Sequence, residues 1–98
     1  MCGIFGYVGK GNIQGIVRKG LKTLEYRGYD SCGYAILENG ELNVEKKIGK
    51  GKIEELTSLL PENVPYTIRI ISHTRWATHG KVTIENAHPQ LDCERKIA

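Results

Sequence analysis

Apolar positions along this chain change period several times, and each change marks an element. Residues 1–8 interleave strand formers (Ile4, Phe5, Tyr7, Val8) with the small Gly3 and Gly6. They predict a short strand with Cys2 at its mouth, ended by Gly9-Lys10-Gly11. From Asn12, a capping residue, the spacing turns helical. Ile13, Ile16, Val17, Leu21 and Leu24 share one face through about residue 24, with Arg18, Lys19 and Lys22 turned largely away. Gly20 lies beside that stripe, so either the helix approaches a sheet closely there or a poor helix former is tolerated.

Residues 25–33, Glu25-Tyr26-Arg27-Gly28-Tyr29-Asp30-Ser31-Cys32-Gly33, break every periodicity and read as a loop. Two tyrosines and an arginine make it either a well-packed turn or a wall of a substrate site. Strand patterns at 34–38 and 41–45 then flank Asn39-Gly40, the usual type I′ hairpin turn. That two-residue loop sets Leu37 against Leu42 and Ala35 against Val44 on one side. Tyr34 with Glu45, and Ile36 with Asn43, are expected on the other and wetter side. Glu38 opposite Glu41 argues for an exposed turn end. Residues 48–51 link to a short helix over 52–60, with Ile53, Leu56 and Leu60 on one face and Pro61 as its stop. A surface turn at 62–65 leads to a strand over 67–72, and residues 85–89 form a polar turn with His88 driven extended by Pro89.

Composition narrows the class. Ninety-eight residues make one small domain at most. A formal charge of +3 comes from lysines scattered among glutamates, with no basic block interleaved with aromatics. No nucleic-acid partner is therefore expected. The first residues carry neither a charged leader nor a long apolar core, so neither a signal peptide nor a membrane anchor is expected. Cys2, Cys32 and Cys93 are an odd number with no close pair. That pattern signals neither zinc nor thioredoxin-like chemistry, leaves one cysteine over from any disulfide, and fits a reducing, cytoplasmic setting.

Two places carry candidate chemistry. Trimming of Met1 would leave Cys2 with both a thiol and a free α-amine, whose pKa near 8 suits a base beside its own nucleophile. The structural alternative is a cysteine buried in an edge strand. At the end of the 67–72 strand stands His73-Thr74-Arg75-Trp76-Ala77-Thr78-His79-Gly80, a density of polar groups suited to a binding site or to capping and turn packing. Arg75 offers a planar fork for a carboxylate or phosphate. His73 and His79 do not have a dependable zinc spacing.

Four blocks together carry a resemblance: Cys2-Gly3-Ile4-Phe5-Gly6, Tyr26-Arg27-Gly28-Tyr29-Asp30-Ser31, His73 through Gly80, and Asn86-Ala87-His88-Pro89. In order and over essentially the whole chain they resemble the glutaminase domain of the glutamine:fructose-6-phosphate aminotransferases, a branch of the class II, N-terminal-nucleophile amidotransferases. The resemblance implies an α+β fold, the four-layer α/β/β/α sandwich of antiparallel sheets, of which residues 1–98 are the first part and incomplete at the C-terminus. It implies hydrolysis of L-glutamine to glutamate and ammonia, and use of that ammonia on fructose 6-phosphate to make glucosamine 6-phosphate.

By the same resemblance Cys2 is the nucleophile and Arg75 clamps the glutamine α-carboxylate. Trp76, Thr78 and His79 shape the pocket, with Arg27 and His88 in support. No cofactor, metal, nucleic acid or membrane is implied, and the full-length protein is expected to be a cytoplasmic homodimer. The family's oxyanion donors belong to a His-Asn-Gly segment that residues 1–98 do not contain, so those residues alone are expected to be inactive. Cys32 and Gln90 depart from the family, which commonly has alanine and histidine there. Two other readings stand beside this one: a class II amidotransferase with a different acceptor, and a noncatalytic interaction module on the same framework.

Overall fold

The computed structural model describes residues 2–27, 30–76 and 80–98. Strand β1 (Gly3–Gly11) is followed by helix α1 (Ile13–Leu24), a single 3-10 turn at Glu25–Arg27, strands β2 (Ser31–Glu38) and β3 (Glu41–Ile48), helix α2 (Ile53–Thr57) and strand β4 (Val64–Arg75). Asn12 caps α1 as its position predicts, its Oδ1 accepting from the Gly15 N–H at 3.0 Å. Asn39 and Gly40 both take positive φ, 52° and 76°, as a type I′ turn requires. The hairpin register follows pair for pair, with Leu37 opposite Leu42 and Glu38 opposite Glu41.

All strand pairs are antiparallel, in the order β1-β4-β2-β3. The last strand thus inserts between the first strand and the hairpin. One face of the sheet is covered by both helices. Ile13, Val17 and Leu21 of α1, and Ile53 and Leu56 of α2, pack with Tyr34, Ile36, Ile68 and Ile70. The helices are tied to each other by a Lys22–Glu54 ion pair and by Arg18, whose Nε donates to Thr57 Oγ1 at 2.8 Å. At Gly20 a Cβ would stand 2.6 Å from the Phe5 ring, so close approach to the sheet is the reason for that glycine.

Several expectations need correction. Tyr34 and Ile36 are buried in the core and not on a wet side, although Asn43 and Glu45 opposite them on β3 are exposed as expected. Pairing of β2 with β4 makes β2 central, and the helices cover that side. Ser31, Cys32 and Gly33 belong to β2 and not to a loop, because Arg75, Thr74 and His73 pair with them. Strand β1 continues through Gly9 to Gly11 across a register shift. Strand β3 continues to Ile48, and β4 already begins at Val64. Helix α2 covers only Ile53–Thr57, although Ile53, Leu56 and Leu60 are all buried as their spacing predicts. Arg18 is half-buried on α2 and does not point away.

Among the described residues no helix lies on the opposite face of the sheet. There Ile4 is 74% exposed, Val8 66% and Ile71 42%. Val8 and Ile71, with Gly6, Ala35 and Leu37, line an open apolar groove of about 540 Å³, bordered by residues 96–98. The described residues form a mixed α+β domain: one four-stranded antiparallel sheet with two helices on one side.

Candidate active site

Alternation along the strands decides which side chains meet. On the open face, successive rows across β1, β4 and β2 read Ile4, His73, Gly33 and then Gly6, Ile71, Ala35. One row further, Arg75 faces Ser31 on β2. Cys2 directly precedes Gly3, which pairs with Thr74, so the register brings Cys2 to the same end of the sheet. The Cys2 thiol is exposed, and its Sγ lies 3.9 Å from the Trp76 carbonyl oxygen. Trp76 itself is about half exposed. Cys2, Arg75 and Trp76 therefore gather at one end of β1 and β4. Burial, the structural alternative for Cys2, does not apply.

Arg75 is only 6% exposed. Its backbone carbonyl accepts from the Asp30 N–H at 3.0 Å, and the Asp30 carbonyl accepts from the Gly49 N–H at 2.8 Å. Ser31 Oγ donates to Asp30 Oδ1 at 3.0 Å. These bonds tie the start of β2 to the end of β4. The guanidinium donates from Nη1 to the Lys81 carbonyl at 3.2 Å, and Asn86 Nδ2 donates to the same oxygen at 3.0 Å. Neither Lys81 nor Asn86 is a site candidate by sequence reasoning. The one available signal is the Asn86-Ala87-His88-Pro89 block, with no role attached to its asparagine.

His88 belongs to this turn but meets His73, not Cys2. Their ring centroids are 4.4 Å apart, tilted by 40°. His73 is nearly buried and its Nδ1 has no hydrogen-bond partner among the described residues. Burial, then the neighbouring His88 and Arg75, push its pKa down to about 4 against the opposing pull of Asp30. The imidazole is thus neutral at pH 7. On the other face, burial beside Glu25 and Glu55 pushes the Cys32 thiol up to about 11, so Cys32 is not a nucleophile. Thr78 and His79 lie outside the described residues, as do Met1 and the Arg27 side chain.

Such an arrangement offers an accessible thiol, an adjacent arginine fork and an aromatic wall. Those are the parts needed to attack a small acyl compound that carries a carboxylate. Among the described residues no cluster of three His, Cys, Asp or Glu side chains could hold a metal, and no helix is long and apolar enough to cross a membrane.

No family model matches the chain. Individual relatives do, along most or all of it. It is 56% identical over all 98 residues to a glutamine--fructose-6-phosphate aminotransferase [isomerizing] of Aquifex aeolicus, covering 16% of that protein. Identity to the enzyme of the same description from Chlamydia pneumoniae is 49% over 98 residues, again 16% of its length. For Listeria innocua it is 53% over 89 residues, which are 91% of this chain and 14% of that protein. The chain spans about one-sixth of the length of the curated relatives it matches.

Proposed function

This chain belongs to the glutamine--fructose-6-phosphate aminotransferase family, matching its N-terminal glutaminase domain along its whole length, and on that premise we propose that it carries the nucleophile and carboxylate clamp of a glutamine-hydrolysing site. What supports this reading is the β1–β4 register, which joins the Cys2 thiol to the strand end that bears Arg75 and Trp76.

In the proposed reaction Met1 is removed, which frees the Cys2 α-amine. The amine takes the thiol proton as Sγ attacks the side-chain amide carbon of glutamine. The tetrahedral adduct collapses as the amine hands that proton to the leaving nitrogen, releasing ammonia and leaving a thioester on Cys2. Water then hydrolyses the thioester to glutamate and restores the thiol. Arg75 holds the α-carboxylate through its planar fork. Trp76, Thr78 and His79 form the pocket, with Arg27 and His88 supporting the loops around it. Donors to the developing oxyanion come from a His-Asn-Gly segment outside residues 1–98. Removal of a single such donor costs about 10²–10³ in turnover, so residues 1–98 by themselves are inactive in this scheme.

Residues 1–98 form the first part of a four-layer sandwich, and the uncovered apolar face of the sheet is where a second sheet would lie. The full-length protein passes its ammonia to fructose 6-phosphate and yields glucosamine 6-phosphate, as a cytoplasmic homodimer with no nucleic-acid or membrane partner. The test is ammonia release from glutamine by the Met1-processed full-length protein, followed by glucosamine 6-phosphate formation. Cys2→Ala should abolish hydrolysis and Arg75→Ala should weaken glutamine binding. Absence of both hydrolysis and glutamine binding in the wild-type protein would refute the proposal.

A further inference from the structure

We propose that Asn86 is a positioning residue for the Arg75 guanidinium, acting through the main-chain carbonyl of Lys81. The inference rests on the reading of Arg75 as the glutamine carboxylate clamp. Two donors converge on one oxygen: Arg75 Nη1 at 3.2 Å and Asn86 Nδ2 at 3.0 Å, both to the Lys81 carbonyl. A carbonyl has two lone pairs and can serve both at once. Its direction is then shared between them, so that whatever holds the Asn86 amide also holds the guanidinium.

The turn is built to hold that amide. The Asn86 N–H donates to Thr83 Oγ1 at 3.2 Å, and the N–H of the fully buried Ala87 donates to the Thr83 carbonyl at 3.0 Å. Gly80 adopts a φ of 75°, a conformation that favours glycine. A Cβ there would lie 2.9 Å from Asn86 Nδ2 and 3.7 Å from Arg75 Nη2. Glycine at position 80 therefore lets the amide and the guanidinium converge without obstruction.

Recognition of a carboxylate by arginine depends on the plane of the fork as well as on its charge. An Nη anchored on a fixed carbonyl sets that plane before glutamine arrives. Without the Asn86 amide the Lys81 carbonyl loses one of its two donors, and the guanidinium bonded to it is held less firmly when glutamine binds. Asn86 acts on binding only, so the loss falls on KM and spares kcat.

The experiment is a double-mutant cycle on glutamine hydrolysis by the full-length protein. Asn86→Ala should raise KM about two- to tenfold, the worth of one ordinary hydrogen bond, with kcat nearly unchanged. In an Arg75→Lys background the same change should have a much smaller effect, because coupled residues are not additive. Equal KM effects in both backgrounds, or a loss confined to kcat, would overturn the inference. A second measurement does not depend on glutamine. The side-chain Nε–Hε NMR signal of Arg75 should be sharp in the wild type and shifted or broadened in Asn86→Ala, and an unchanged signal would overturn the inference as well. If wild-type protein neither binds nor hydrolyses glutamine, the clamp reading fails, and the NMR comparison still decides whether Asn86 holds Arg75.

Discussion

A single methyl group at Gly33 should unseat the turn that carries Lys81, Asn86 and His88. A Cβ built on Gly33 lies 2.0 Å from the His88 carbonyl oxygen and 3.1 Å from that of Glu45. Ordinary carbon–oxygen contacts begin near 3.4 Å, so Gly33→Ala requires the His88 backbone to retreat by about 1.4 Å. Retreat is resisted. Ala87 is fully buried, its N–H is bonded to Thr83, and the His88 ring rests against His73. Overpacking of this kind costs roughly 1–3 kcal/mol. For a domain of this size each kcal/mol lowers the melting midpoint by about 4–8 °C. The assay is calorimetry of the full-length protein, following the transition of this domain, with hydrogen exchange at the Ala87 amide as a local readout. Gly6→Ala serves as the control, since the nearest atom to its Cβ is the Ile70 carbonyl oxygen at an ordinary 3.8 Å. If Gly33→Ala melts with the control and leaves Ala87 exchange unchanged, the close seating of the turn on β2 is wrong.

Of the three thiols within residues 1–98, the exposed Cys2 and Cys93 should react with a disulfide reagent at pH 8 in the native state, and Cys32 only after unfolding. Because burial raises the Cys32 pKa from 9.0 to about 11, its contribution to stability is complete below pH 9 and is lost as pH rises through 11; Cys32→Ala should flatten that alkaline limb of the melting profile. His73 behaves in the opposite sense. Its pKa falls from 6.5 to about 4, so its contribution is complete above pH 6.5 and fades as pH drops through 4, and His73→Gln should show a shallower acid limb than wild type. Residues 1–98 expressed alone should self-associate on gel filtration, because Ile4 and Val8 leave the apolar sheet face open, and should release ammonia from glutamine at less than a tenth of the full-length rate. A monomeric fragment or a higher rate would contradict the two halves of that expectation separately.

Local chemistry is legible in this sequence, and its limits are physical. Asn12 and Asn39-Gly40 act through bonds and dihedrals within a few residues, so cap, turn and register all come out as expected. Which face of the hairpin is wet depends instead on β4, a strand that enters the sheet from the far end of the chain, and no period within 34–45 encodes that. Residues 31–33 read as a loop for the same reason, since their strand partners are 73–75. The four motif blocks point to Cys2, Arg75 and Trp76 by resemblance, and the strand register supplies the physical cause of their meeting. Asn86 escapes sequence reasoning because its partner is a backbone oxygen, to which the identity of Lys81 contributes nothing.

Cys2 and the Trp76 carbonyl it approaches are separated by 74 positions along the chain. A contact of that span forms only after a long loop has closed, whereas the β2–β3 hairpin closes around two residues. During synthesis the first strand emerges from the ribosome long before the strand it must pair with. Every nascent chain shorter than about 75 residues therefore carries Cys2 before the strand end that bears Arg75 and Trp76 exists, and the three meet only when β4 joins β1.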